Sequence, residues 1–268
     1  MKTKKISPLN YAFAIGKIRA LEKFLIRSEV FQEAIESSLQ DSLRLFVESD
    51  LYSEELLHIR DSQQLEEVLS QELLKVKDLI RSLLLDKQLL CLIEAESLNQ
   101  ISELCQNYFS EFLQDYLQHA IDMHNIKTFL RLYILGEPQE KLENLLICEG
   151  FIKKDVFLKL YIQDLSAFLN ALEYVHKHNQ IIDYALFLRE PIQKLQKDNS
   201  FIALEKAIND FLMQTLKPAK YISFGPEALL AYYFAKVNEI NLIRLIILAK
   251  LNNVSADLMK ERINAVYA

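Results

Sequence analysis

The chain reads as all-α, and three observations carry that reading. It holds four glycines and five prolines in 268 residues, roughly a quarter of the usual share, so it seldom needs a positive φ or a rigid turn. Apolar residues return at three- and four-residue steps along most of its length, with charges on the other side. Nowhere does it show the closely spaced turn signals that sandwiches, barrels and βαβ arrays require. Hydrophobic residues make up 51% and charged residues 25%, enough for a core and too apolar for a disordered chain.

Taken in order, Pro8 to Arg27 is expected as one amphipathic helix, with Tyr11, Ala14, Ile18, Leu21, Phe24 and Leu25 on one side. Pro8 suits the first turn, where its missing N–H costs nothing. Ser28 restarts a short helix, Leu39 to Val47 makes another, and Ser53 caps a brief one through His58. From Ser62 to about Glu94, apolar positions from Leu65 through Val76 and Ile80 to Leu84 predict one helix of about eight turns. A helix from about Leu98 to Asp122 follows, then a separate one from Asn125 to Leu135 closed by Gly136 with Pro138 beyond it. Glu140 to Ile147 and Lys153 to Ile162 flank Gly150, and Asp164 caps Leu165 to His176. Residues 179–216 offer two helices, punctuated by Pro191 and Pro218. Ser223-Phe224-Gly225-Pro226 is the clearest break in the chain. After it come Glu227 to Lys236, Asn238 to Lys250, and a last helix capped near Ser255 that ends by Val266.

A weak internal repeat sets Asn125–Gly136 over Asn241–Asn252, at an offset of 116, with apolar residues coinciding at 126/242, 129/245, 130/246, 132/248 and 135/251. Leu142 then falls over Leu258, and each copy stops at a residue tolerant of left-handed backbone.

The formal net charge is −6 and the pI about 5.5. Without a basic excess, a nucleic-acid surface is not expected. Met1 to Lys5 is basic, but no apolar run follows it, so no signal peptide is read there, and the longest uncharged apolar runs are far too short to span a bilayer. Cys91, Cys105 and Cys148 are widely spaced and read as reduced, buried thiols. Asn253-Val254-Ser255 reads as a turn. Four scattered glycines cannot cradle a phosphate, and neither GxGxxG nor GxxxxGK occurs. His119 and His124 fall on diverging helix faces, as do His176 and His178. Asp122 near His124 is read as a surface or capping residue, and the Glu54-Glu55 and Glu66-Glu67 pairs as solvated faces. Tyr116, Phe109, Phe112 and Tyr232-Tyr233-Phe234 lack basic flanks and read as core. No catalytic, cofactor-binding or metal-ligating residue is named, and no cofactor is expected. From the residues alone, the chain is a helical scaffold.

The stretch Tyr221-Ile222-Ser223-Phe224-Gly225-Pro226-Glu227-Ala228-Leu229-Leu230-Ala231-Tyr232, continuing through Ala235-Lys236 and Asn241-Leu242-Ile243-Arg244 to Lys250-Leu251-Asn252, resembles the final segment of the V-type and archaeal-type ATP synthase C-subunit family. Its eukaryotic V-ATPase members are called the d subunit. Ala228 stands where that family often has a second proline, and Asn253 where it often has glycine. Asp122, Asn125, Lys127, Arg131 and Gly136 resemble a second copy of the same unit. Glu149-Gly150-Phe151-Ile152 resembles the turn after it, and Tyr11 to Glu22 the family's opening. Members usually run several tens of residues longer, which puts a trimmed lobe in the region 50–120.

The resemblance implies a funnel-shaped, all-helical protein of pseudo-threefold character, with lobes over residues 1–60, 61–177 and 178–268. It implies a non-catalytic rotor subunit that sits peripherally on the cytoplasmic face of the membrane. There it couples the rotor ring of proteolipid subunits to the D and F subunits of the central stalk during proton or sodium transport, as a monomer within the complex. Neither nucleic acid nor a small-molecule substrate is implied. Asn125, Asn241 and Arg244 are read as packing and capping positions of each repeat. Two alternatives stay open: an α-solenoid adaptor unrelated to ATPases, whose short regular period is not seen, and a helical ligand-binding domain or enzyme, whose convergent polar groups are not seen.

Overall fold

The computed structural model describes residues 7–49, 52–95, 98–105, 110–177 and 179–268, most of them helical. A 3-10 turn at Pro8–Tyr11 leads into α1 (Ala12–Glu22), α2 (Ser28–Glu36) and α3 (Leu39–Val47). A second 3-10 turn, Glu54–His58, precedes α4 (Ser62–Leu83), a third, Lys87–Leu90, precedes α5 (Cys91–Glu94), and α6 (Leu98–Cys105) follows. Next come α7 (Glu111–Ile134), α8 (Gln139–Leu145), α9 (Lys154–Tyr161) and α10 (Leu165–Leu172). A small antiparallel hairpin, β1 (Val175–Lys177) with β2 (Gln180–Ile182), sits before α11 (Ala185–Asp198) and α12 (Ile202–Leu216). The chain closes with a 3-10 turn at Lys217–Tyr221, α13 (Glu227–Leu251) and α14 (Ala256–Arg262). The all-α expectation holds.

Two compact units divide these elements. One joins the chain up to Glu94 with Met213–Ala268, and the other is Ala95–Leu212. In the first, α13 runs through the core and packs on α4, α1, α2 and α3, with Phe31, Phe46, Leu65, Leu69, Ile243 and Ile247 closed off from solvent. In the second, α7 plays the same part, surrounded by Phe157, Phe168, Leu188, Ile192 and Leu204.

Several helix ends follow local chemistry as expected. Leu39–Val47 is helical over those bounds, with the Ser38 hydroxyl accepting from Asp41 N, Ser53 caps its turn through Glu55 N, and the Asp164 carboxylate accepts from Ala167 N. Other ends differ, each because a distant group competes. Helix α1 stops at Glu22 instead of Arg27, and the Ile26 amide that would have continued the ladder donates to Glu239 Oε2 at 2.6 Å. The helix expected over Ser62 to Glu94 breaks after Leu83. There the Asp86 amide donates to Tyr11 Oη at 3.0 Å and the Asp86 carboxylate caps Gln88 N.

The breaks expected at 122–125 and 236–238 are absent, because both fall inside long continuous helices. Pro191 lies within α11 and removes one ladder bond without ending the helix, which stops instead at Asn199 in left-handed backbone (φ 53). The hairpin, with Val175 opposite Ile182, replaces the last turns expected of α10.

The internal repeat is present, at an offset of 117 instead of 116. Helices α7 and α13 both end in a Schellman motif: Glu137 N donates to Leu132 O and Gly136 N to Tyr133 O, while Val254 N donates to Ala249 O and Asn253 N to Lys250 O. The left-handed residues are Gly136 (φ 65) and Asn253 (φ 55), not Asn252. Asn253-Val254-Ser255 is therefore a turn, as expected. One residue further on, α8 and α14 superimpose in number, and Leu142 matches buried Met259, whereas Leu258 is exposed. The fully buried trio Ile126, Phe129 and Leu130 corresponds to Ile243, Ile246 and Ile247.

Candidate functional site

Helices α7 and α13 each bury one carboxylate three residues after a basic or imidazole side chain, and a tyrosine from elsewhere in the same unit donates to that carboxylate. At the 117 offset the pairs correspond: His119 with Asp122, Lys236 with Glu239.

In the Ala95–Leu212 unit, Tyr184 Oη donates to Asp122 Oδ2 at 2.9 Å and stands 2.7 Å from His119 Nδ1. Because the tyrosine proton goes to the carboxylate, the imidazole must supply Nδ1–H to the phenol oxygen. Asp122 also accepts from the amides of Phe151 (3.1 Å) and Ile152 (3.0 Å), so one side chain holds the whole turn after α8. Asn125, one helical turn on, grips both backbone groups of Ile147, at 2.8 and 2.9 Å. The rings of Phe151 and Phe211 flank His119 at 4.9 and 5.0 Å.

The turn comes so close that a Cβ at Gly150 would overlap Asp122 Oδ1. Gly150→Ala is therefore expected to cost about 1–3 kcal/mol through overpacking. Gly16→Ala, where a Cβ meets nothing within 4 Å, should be neutral or slightly stabilising. Urea unfolding followed by far-ultraviolet circular dichroism distinguishes the two.

Burial pushes Asp122 up to about 7 from 3.8, against the hydrogen bonds from Ile152, Tyr184 and Phe151. Burial, with the nearby Lys177 ammonium, pushes His119 down to about 4 from 6.5, opposed by Asp115. The two act on stability with opposite sign. Between about pH 4 and 6.5 the unfolded chain binds the His119 proton and the native state does not, so that contribution to stability rises with pH. Between about pH 4 and 7 the native state holds the Asp122 proton and the unfolded chain has lost it, so that contribution falls with pH. Relative to the parent, His119→Gln should thus grow less stable as pH rises from about 4 to 6.5, and Asp122→Asn more stable as it rises from about 4 to 7. Denaturation midpoints measured across that range check both signs.

In the other unit, Lys236 Nζ pairs with Glu239 and lies 3.1 Å from Tyr52 Oη, which donates to Glu239 Oε1 at 2.7 Å. The ammonium also sits 4.2 Å above the Tyr52 ring. Burial and Glu239 push the Tyr52 phenol well above its ordinary value, so it stays a donor. Glu72, itself buried, accepts from Ser53 N and pairs with Lys75, fixing the chain on the other side of Tyr52.

Both clusters are closed by protein groups, and what they do is fasten loops to a central helix. Among the described residues, no group of three or more His, Cys, Asp or Glu side chains is placed to hold a metal ion. Among the same residues, no helix is long and apolar enough to cross a membrane. Asp122, read from sequence as a surface or capping residue, caps amides but is wholly buried. Asn125 packs as expected, but Asn241 is exposed and accepts from Arg244, which itself reaches Glu66 of α4 at 2.8 Å. Glu66 is therefore an ion-pair partner and not a merely solvated charge.

Cys91 and Cys148 are reduced thiols; Cys91 is half-buried and its Sγ–H donates to Gln88 O. Cys148 is exposed and not buried, being on the short turn between α8 and Gly150, and the side chain of Cys105 lies outside the described residues. Tyr116, Tyr232 and Tyr233 are core residues, and Phe109 is outside the described residues. Tyr184 and Tyr52 were not singled out from sequence, and Lys236 and Glu239 entered only as part of the family-like C-terminal stretch, with no buried pair expected. The available signal was the pairing of a charge or imidazole with an acid three residues later inside an otherwise apolar helix.

A duplicated helix pair, each copy fastened through one buried acid, defines an all-helical protein built on an internal repeat. The family model described as ATP synthase (C/AC39) subunit matches residues 93–262, a span that includes both copies, and the chain belongs to that family. It is 29% identical over 159 residues to the C subunit of the V-type sodium ATPase of Enterococcus hirae, covering 59% of this chain and 45% of that protein. It is 26% identical over 138 residues to the C subunit of the A-type ATP synthase of Methanobrevibacter smithii, covering 51% and 34%. The matched stretches thus span less than half the length of either relative.

Proposed function

We propose that the chain is a non-catalytic rotor subunit of a V/A-type rotary ATPase, a socket that couples the central stalk to the membrane rotor ring and passes torque between them. The observation that carries this reading is family membership across both copies of the fastened helix pair. A torque-bearing part has to resist shear between its elements. Close-packed helices with buried, fully bonded cross-links have the low compressibility this requires. The proposed partners are the proteolipid ring and the D and F subunits of the stalk, with the protein peripheral on the cytoplasmic face. The proposal extends to three lobes over residues 1–60, 61–177 and 178–268, arranged as a funnel about a pseudo-threefold axis.

The test is reconstitution. The purified chain is mixed with detergent-solubilised rotor ring and with the stalk pair from the same source, then passed over a sizing column. Co-elution with both, and no ATPase activity from the chain alone, is the expected result. A chain that is helical by circular dichroism yet binds neither partner would overturn the socket reading and favour an adaptor built on the same fold.

A further inference from the structure

The charge of this acidic protein is unevenly distributed. Residues 1–27 hold seven basic side chains and one acidic one, Glu22, although the whole chain has a formal net charge of −6. Glu22 is already spent on Arg19 and Tyr267. Arg19 in turn donates to the carbonyls of Ala219 and Ile222 at 2.7 and 3.0 Å, which fixes the 219–222 turn beside α1.

Among the described residues of this stretch, Lys17, Lys23 and Arg27 are exposed. The inner side of α1 is formed by Ala14, Ile15 and Ile18, all buried, while its outward side is also largely apolar: Ala12, Phe13, Gly16 and Ala20 are exposed, with Lys17 among them. Phe13 is 79% exposed, Leu9 just before it 63%, and Tyr221 on the adjoining turn 88%. Lys23 and Arg27 continue the exposed basic series past the helix end. A helix apolar on both sides, edged by lysine and flanked by exposed aromatics, is not fully satisfied by its own core.

We propose that this face of α1, with Leu9, Phe13, Lys17, Lys23, Arg27 and Tyr221, docks on an anionic lipid surface. Three features favour lipid headgroups over a protein partner. Lysine supplies most of the free charge, and lysine is depleted from protein–protein interfaces while it is the usual cation of amphipathic membrane-surface helices. Leu9 and Phe13 follow one another along the exposed side beside Lys17, an arrangement that suits insertion among headgroups under a basic rim. Finally, the basic residues outnumber the acidic ones within a short segment, the pattern that senses bilayer surface charge. This inference goes beyond the proposed socket role and does not depend on it.

The experiment is co-sedimentation of the full chain with vesicles of phosphatidylcholine alone and with vesicles containing about 30% phosphatidylserine, at low and high salt. Binding is expected only to the anionic vesicles and should weaken as salt rises. Each basic residue at such a surface is worth roughly a fivefold change in binding, so the triple reversal Lys17→Glu, Lys23→Glu, Arg27→Glu should weaken it by at least about 100-fold. Phe13→Ser should weaken it about tenfold. The matched reversal Lys153→Glu, Lys159→Glu, Lys194→Glu, in the other unit, should leave it unchanged. Circular dichroism of each variant verifies folding. Equal binding to both vesicle types, equal loss in both triple variants, or no binding at all would each overturn the proposal. The last of these would redirect the search to an acidic protein surface.

Discussion

Lys236→Met should lower the stability of the unit built on α13 by about 3–5 kcal/mol. The substitution keeps length and apolar volume but removes the cation facing Glu239, a residue that is 4% exposed and whose carboxylate cannot move to water. That carboxylate also accepts from Ile26 N and Tyr52 Oη, groups that reach it from the end of α1 and from the segment after α3. Three chain segments would then converge on an uncompensated charge. The double variant Lys236→Met, Glu239→Gln keeps an oxygen to accept from Ile26 N and turns an NH2 toward Tyr52 Oη, which can accept, all without the charge, so it should recover a large part of the loss. If the double variant is as unstable as the single, the cost is packing and not electrostatics. Because the chain has no Trp, urea unfolding is best followed by circular dichroism, with hydrogen exchange locating the effect at Ile26.

Phe129→Ala should cost the other unit about 3–5 kcal/mol. The ring is fully buried, stacks on Phe168 with centroids 4.1 Å apart, and meets Tyr161 edge-on at 5.4 Å and Phe157 at 6.1 Å. It therefore joins α7, α9 and α10 at one point, and a truncated side chain leaves a void that three rigid helices cannot close. Its counterpart at the 117 offset, Ile246, is an aliphatic residue in the same fully buried place. Phe129→Leu should lose markedly less than Phe129→Ala. Thermal unfolding of the two variants tests whether volume or ring stacking dominates.

Much of the helical layout was legible because the relevant chemistry is local. Ser38 with Asp41, Ser53 with Glu55 and Asp164 with Ala167 are caps closed within two or three residues, and such signals survive in a one-dimensional reading. The repeat was legible too, but its register was off by one. The run Leu242–Leu251 is too evenly apolar for hydrophobicity to choose between 116 and 117; the left-handed turn at Asn253 and the buried pair Lys236–Glu239 make the choice. A helix boundary was expected between Asp122 and Asn125, where short polar side chains often bond to their own backbone. Here they turn to Phe151, Ile152 and Ile147 instead, and the helix runs on.

By itself, then, the sequence determined that this protein is all-α, where its locally capped helices begin, and, through the stretch around Phe224-Gly225-Pro226-Glu227, which family it belongs to. Only the tertiary structure decided that α7 and α13 are continuous, that α1 stops at Glu22, and that a buried acid fastens each copy of the repeat. The physical reason is separation along the chain. A cap is closed by the next turn of backbone, whereas Glu239 and Ile26 lie 213 residues apart, and no local pattern can announce a hydrogen bond whose two halves meet only after folding.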